Sequence, residues 1–265
     1  MIESHNNRIN SDWQFRYAPL PAGYAGRYKC KKMTSYNKTV AIIPAAGLGL
    51  RMGADVPKQF LDINDAPIMV TTLRAFHQSN LVDGIILVVP ARSVDFCRDR
   101  IVKQYDLSRV IKVVPGGKRR QDSVRHGLEA TEGKYDIVVI HDAVRPLVSP
   151  LLIDTVIKEA RESRAVITGL PSKDTVKEVN DAGYVIRTHD RSHLWLVQTP
   201  QAFYYEDLLL AHQKAIEDNW EESTDDAALI EKIGIPVKVV MGEEGNIKVT
   251  TPHDLNLARF FMRMQ

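Results

Sequence analysis

The chain has 265 residues, 44% hydrophobic and 26% charged, with a formal net charge of +2, a composition suited to a globular protein with a sizeable core. That near-neutral balance argues against a dedicated nucleic-acid surface, which shows as a strong basic excess, and no apolar run approaches the roughly 18 residues of a membrane span. Cys30 and Cys97 are the only cysteines, too few for a disulfide framework or a cysteine metal site, and they suit a reducing compartment such as the cytoplasm.

Residues 1–38 are rich in Asn, Arg, Lys and Tyr, lack an apolar period and contain Pro19, Pro21, Gly23 and Gly26. The expectation is a disordered N-terminal extension rather than a targeting segment, with Met33 a natural start just before the first strand. From Thr39 onward, short β-rich runs alternate with helical stretches. Val40–Ile43, Ile85–Val89, Val110–Val114 and Ile137–Ile140 are short runs dominated by apolar, β-branched residues, predicted as strands covered on both faces. Helices are predicted over about 67–79, 92–104, 121–131, 150–163, 205–219 and 225–233. Such alternation predicts a doubly wound, mostly parallel α/β sheet spanning residues 39–265. Residues 171–198 break the rhythm: Thr175–Val179 and Tyr184–His189 alternate around a turn at Asn180–Gly183, predicting a protruding β-hairpin arm over about 171–191. The chain closes with predicted strands at Val237–Met241 and Asn246–Val249, then a helix starting near Pro252.

The loop after the first strand reads Pro44-Ala45-Ala46-Gly47-Leu48-Gly49-Leu50-Arg51-Met52-Gly53. Small residues beyond a buried strand let backbone N–H groups approach phosphates. A dinucleotide fingerprint is excluded because Met52 stands where its third glycine belongs, and a P-loop because no Gly-Lys-Ser/Thr ends the loop. Arg51 and the following Pro57-Lys58-Gln59 instead place two cations beside the cradle, as a triphosphate requires when its leaving group gains charge.

Further motifs follow in order. Gly116-Gly117-Lys118-Arg119-Arg120-Gln121-Asp122-Ser123-Val124 leaves a strand and enters a helix. His141-Asp142-Ala143-Val144-Arg145-Pro146 ends another strand, placing a carboxylate beside a guanidinium. Thr199-Pro200-Gln201-Ala202-Phe203, Thr224-Asp225-Asp226-Ala227 and Asn246-Ile247-Lys248-Val249-Thr250 complete the set, the last supplying a strand-borne cation. Each has an ordinary reading: Gly-Gly as a turn, Thr224-Asp225 as an N-cap, His141 and His193 as structural groups. The histidines form no metal-ligand pattern.

The whole ordered set resembles the 2-C-methyl-D-erythritol 4-phosphate cytidylyltransferase family of the non-mevalonate isoprenoid pathway, from about Thr39 to the end. The resemblance implies transfer of CMP from CTP to methylerythritol phosphate with release of pyrophosphate, and Mg²⁺ held mainly by the CTP phosphates. It implies that Ala45, Ala46, Gly47, Gly49, Gly117 and Ser123 line the CTP site and that Arg51 and Lys58 stabilise the triphosphate. Asp142, Ala143, Arg145 and Thr199 would meet the polyol phosphate, with Lys248 orienting the reacting groups. Thr175 and Arg191 would sit on an arm that enters a neighbouring subunit of a homodimer. Val144 stands where this family often has Ala, and Lys118 occupies a variable place. A cytidylyltransferase acting on ribitol phosphate has similar loops and is the nearest rival; a nucleotide-binding regulator without turnover is a more distant one.

Overall fold

A strand whose side chains are apolar on both faces must be covered on both, and Thr39–Pro44 (β1) sets that requirement. The computed structural model describes residues 38–47 and 57–264. Its further strands are β2 (Asp62–Ile63), β3 (Ala66–Pro67), β4 (Gly84–Val89), β5 (Val110–Pro115), β6 (Ile137–Ile140) and β7 (Ala165–Pro171). Next come β8 (Lys177–Val179), β9 (Val185–Thr188), β10 (Trp195–Tyr204) and β11 (Lys238–Met241). The helices are α1 (Ile68–Gln78), α2 (Val94–Phe96), α3 (Arg120–Ala130), α4 (Pro150–Ser163), α5 (Tyr205–Glu217), α6 (Ala227–Lys232) and α7 (Pro252–Met262).

Seven strands form the main sheet in the order β11-β7-β10-β6-β1-β4-β5. Neighbours pair in parallel, except that β10 runs antiparallel to both β6 and β7. Val40 to Ile43 are all fully buried. Ala41 and Ile43 join a core with Met69, Leu73 and Phe76 of α1 and Ile153, Val156 and Ile157 of α4. Ile42 faces the other way, toward α3, where a Cβ on Gly127 would lie 2.5 Å from its Cγ2. Alternate side chains therefore meet helices on opposite faces, and the chain is the doubly wound α/β protein that its strand pattern predicts.

Several expectations need correction. Asn246–Val249 is not a strand: Asn246 N–H donates to Glu243 O, Ile247 N–H to Gly245 O and Val249 N–H to Val144 O, so its backbone serves turns and a loop rather than a ladder. The helix expected over 92–104 is broken, α2 passing into a wider π-type segment at Cys97–Val102. β7 and β10 are central strands that the apolar pattern does not reveal. In β10 the pairing register shifts between Gln198 and Gln201, around Pro200, which has no N–H to give a ladder. The hairpin β8–β9 is present but shorter than expected, closed by Gly183 N–H to Asn180 O (2.9 Å) with Gly183 at φ +81°. The N-terminal extension expected over 1–38 lies almost wholly outside the described residues.

Candidate active site

The parallel strands β1 and β6 end on one rim, and the site is built there. After β1, Ala45 N–H donates to Val88 O (2.7 Å). The loop is then strapped by Gln59, 2% exposed, whose Nε2 donates to Ala45 O (2.7 Å) and Gly47 O (3.2 Å). A buried amide must be paired, and here its partners are the cradle's own carbonyls. Opposite lies Gly116-Gly117. A Cβ on Gly116 would stand 2.3 Å from Ala46 Cβ, so glycine there lets the two loops close on each other, and one on Gly117 would stand 2.3 Å from Asp122 Cβ, so glycine there lets the loop fold back on the start of α3. Ser123 Oγ accepts from Gly117 N–H (3.1 Å) and donates to Arg119 O (3.1 Å), shaping this loop from within. The Arg119 guanidinium pairs twice with Asp122, at 3.1 and 2.8 Å, across the start of α3.

Between the loops is a cavity of about 270 Å³ lined by Ala45, Ala46, Gly47, Lys58, Gly117, Lys118, Ser123, Asp142, Ala143 and Lys248, among others. Asp142, just past β6, is its one carboxylate among the described lining residues. Lys248 Nζ lies 2.8 Å from Asp142 Oδ2 and Arg120 Nε 3.3 Å from Oδ1, with Arg145 Nε at 3.7 Å. Burial on its own would raise the Asp142 pKa, but Arg120, Lys248 and Arg145 together outweigh it and hold the carboxyl well below its ordinary range. Arg120 is anchored from behind by Asp226, 1% exposed, at 2.7 Å, and His212 Nε2 lies 3.4 Å from the same carboxylate. Asp225, one residue before Asp226, accepts from Ala228 N–H (3.0 Å) in the first turn of α6, while Asp226 itself holds the N-cap position without a side-chain bond to the helix.

Behind Asp142 the hydrogen bonds run inward. Asp142 N–H donates to Thr199 Oγ1 (3.1 Å), Thr199 Oγ1 lies 3.0 Å from His141 Nδ1, and His141 Nε2 lies 3.1 Å from Arg145 O. Arg145 Nη1 donates to Asn246 O (2.8 Å), and Asn246 Nδ2 donates to Thr199 O (2.7 Å). Val249 is fully buried in a small cluster with Ile63, Val144 and Leu255, which pins the segment carrying Lys248 beside the cavity without any strand.

Of the residues singled out from the sequence, Ala45, Ala46, Gly47, Lys58, Gly117, Ser123, Asp142, Ala143 and Lys248 come together around the cavity. Arg145 and Thr199 are buried just behind it, in contact with Asp142. Thr175 and Arg191 stand apart on the exposed arm, where Arg191 Nη1 donates to Lys173 O (2.8 Å). Gly49 and Arg51 lie outside the described residues. Sequence reasoning passed over Gln59, Arg120 and Asp226, although each sits inside a quoted motif. Among the described residues no group of three or more His, Cys, Asp or Glu side chains is arranged for a metal ion, and no helix is long and apolar enough to cross a membrane.

An open α/β sheet with two glycine-bearing loops closing on a cation-rimmed cavity, at the carboxyl ends of its parallel strands, is an arrangement suited to nucleotide phosphates, and the family match assigns the chain to the nucleotidyltransferases. The family described as IspD, 2-C-methyl-D-erythritol 4-phosphate cytidylyltransferase, matches residues 39–264. The chain is 48% identical over 228 residues to the 2-C-methyl-D-erythritol 4-phosphate cytidylyltransferase of Syntrophus aciditrophicus, covering 86% of this chain and 97% of that one. It is 49% identical over 224 residues to the enzyme of that name from Desulforamulus reducens, covering 84% and 95%. Among solved structures, 4-diphosphocytidyl-2C-methyl-D-erythritol synthase from Anaerococcus prevotii superposes with a TM-score of 0.75 at 34% identity, covering 86% of this chain and 96% of that chain. The chain belongs to the 2-C-methyl-D-erythritol 4-phosphate cytidylyltransferase family.

Proposed function

We propose that the protein transfers CMP from CTP to 2-C-methyl-D-erythritol 4-phosphate, releasing pyrophosphate, by direct in-line displacement. Besides family membership, what supports this reading is that one cavity is lined both by the glycine loops with Lys58 and by Asp142 with Lys248. The acceptor is a phosphate monoester, with a second pKa of about 6, so it is largely dianionic at neutral pH and needs no activated Ser or Cys. The protein's task is to align that oxygen with the α-phosphorus and to offset crowded negative charge. Lys58 and Arg51 take the triphosphate, Asp142 the polyol hydroxyls, and Lys248 turns from Asp142 to the acceptor phosphate.

Asp142 is already surrounded by three cationic side chains, a poor ligand for a protein-held cation. Mg²⁺ therefore enters with CTP as part of the substrate, bound by phosphate oxygens.

The arm belongs to the same proposal. Val179, Tyr184, Val185 and Ile186 are each more than half exposed, as is Leu196 at the start of β10, and an isolated two-stranded hairpin is marginal in water. A second copy of the chain would bury these side chains in a two-fold dimer and bring Thr175 and Arg191 to the neighbouring acceptor site. A cytoplasmic location is part of the reading, consistent with the few cysteines.

The test is pyrophosphate release across CTP, ATP, GTP and UTP paired with methylerythritol phosphate and ribitol 5-phosphate. CTP with methylerythritol phosphate should exceed every other pair. Preference for ribitol phosphate would overturn the acceptor assignment, and no release with any pair would overturn the activity.

A further inference from the structure

His141 is fully buried, packs its ring 5.0 Å from that of Phe76, and is not itself one of the residues lining the cavity. Both ring nitrogens are nevertheless engaged, and their partners are residues of the acceptor side. A carbonyl can only accept, so Nε2, 3.1 Å from Arg145 O, carries the proton. Nδ1 of the neutral ring must then accept, and the Thr199 hydroxyl, 3.0 Å away, gives it its only proton. That hydroxyl in turn accepts from Asp142 N–H. One directed chain results, from Asp142 N–H through Thr199 and His141 to the Arg145 carbonyl. Arg145 N–H also donates to Asp142 O (3.0 Å), so the imidazole spans from inside a turn whose two ends are Asp142 and Arg145. Burial keeps the ring neutral, with its pKa pulled down to about 4.

We propose that His141 is a positioning residue for the acceptor site: as a neutral imidazole protonated on Nε2, it sets the relation between Asp142 and Arg145 and thereby acceptor affinity. Thr199 then acts through the same chain, its hydroxyl proton given to His141 rather than to a substrate oxygen. This inference rests on Asp142 and Arg145 facing the polyol phosphate.

Steady-state kinetics on the full chain separate the possibilities. His141→Phe keeps the ring and its packing on Phe76 but removes both hydrogen bonds, and Thr199→Val removes the hydroxyl. Each should raise the KM for methylerythritol phosphate about tenfold while the KM for CTP stays within about twofold. Thr199→Ser, which restores the hydroxyl, should recover acceptor affinity. The double variant should lose no more than either single one, because both cut one chain. Effects that multiply to about a hundredfold, or equal rises in both KM values, would overturn the proposal. Should His141→Phe fail to fold, ¹⁵N spectroscopy of wild-type His141 at neutral pH still decides, since a ring protonated on Nδ1 contradicts it. Asp142→Asn is the separate control. If it leaves the acceptor KM unchanged, the acceptor-site reading itself falls; if it raises that KM while His141→Phe does not, only the role of His141 falls.

Discussion

The cations that line the cavity have different tasks in the proposed reaction, and those tasks decide what single side chains do. Asp142, proposed to face the acceptor, pairs with Lys248 and Arg120. In the proposed reading, Lys58, Lys118 and Arg119 line the side that takes the nucleotide. Negative charge grows on the leaving pyrophosphate only as the bond breaks, so a cation placed there acts mainly on the transition state. Lys58→Ala should therefore lower kcat by about 10²–10³-fold with a much smaller change in CTP affinity. Single-turnover rates beside equilibrium CTP binding check this, and near-normal turnover in a folded variant would leave Lys58 without the role. His141 makes a second prediction at this scale. Its pKa falls from 6.5 to about 4 in the folded protein, because burial outweighs the opposing pull of its bond to Arg145 O and of the Asp142 charge. The unfolded chain thus binds this proton first on acidification, so stability is fully present above about pH 6.5 and drains between there and about pH 4, at up to ~1.4 kcal/mol per pH unit. Denaturant unfolding from pH 7 to 4 should show that slope in the wild type and a shallower one in His141→Phe; equal slopes would refute it.

At the level of elements, the nucleotide cradle depends on two loops approaching more closely than side chains allow. Gly116→Ala would place a Cβ 2.3 Å from Ala46 Cβ and 2.8 Å from Ser123 Oγ, and overpacking of this kind costs about 1–3 kcal/mol. Because the clash is at the rim and not between sheet and helix, CTP KM should rise about tenfold or more while thermal stability changes modestly. Normal CTP binding by the Gly116→Ala variant would show the loops free to separate. These loops were legible in the sequence because small residues after apolar runs have one economical meaning, close backbone approach at a strand end. β1, β4 and β6 were legible for the related reason that strands buried on both faces are apolar throughout; β5 was expected to be covered in the same way but is the edge strand, with Ile111 exposed and Lys112 within it, and only its β-branched run marked it as a strand. β10 was not, since Gln198, Thr199, Pro200 and Gln201 give it no such signature. Its polar side chains are spent inside the protein: Gln198 Nε2 on Glu243 O, Thr199 on Asp142 and His141, Gln201 Nε2 on Asp225. The Arg120–Asp226 pair was hidden by distance along the chain. Nothing in Gly-Gly-Lys-Arg-Arg tells which arginine finds a carboxylate 106 residues away.

For the molecule as a whole, the open matter is whether one chain completes its own acceptor site. Arg191 lies on the arm, bonded to Lys173 O and away from the cavity lining, which is the placement a group serving a neighbour would have. Mixing inactive Arg191→Ala and Lys58→Ala subunits discriminates. If Arg191 acts in the partner, each mixed dimer has one site with both lesions and one intact site, and activity returns toward half the wild-type value per dimer. If it acts in its own chain, every site carries a lesion, and verified heterodimers stay inactive.

Because β10 runs against its neighbours, Gln201 sits opposite Ile140 and Tyr204 opposite Ile137. The earlier residues of β10 therefore project past the end of β6, and Pro171 at the end of β7 pairs with Trp195 beside them. The polypeptide from 172 to 194 thus leaves and re-enters the sheet at the same lip that holds Asp142, without crossing a face of the sheet. Its ends are two adjacent strands in register, an anchorage that does not depend on what lies between them. Such a segment is a natural cassette. Exchanging it among relatives, or lengthening it, would alter whatever the arm presents while leaving the loops after β1 and β5, on the other half of the sheet, untouched, so that arm and loops are free to diverge separately.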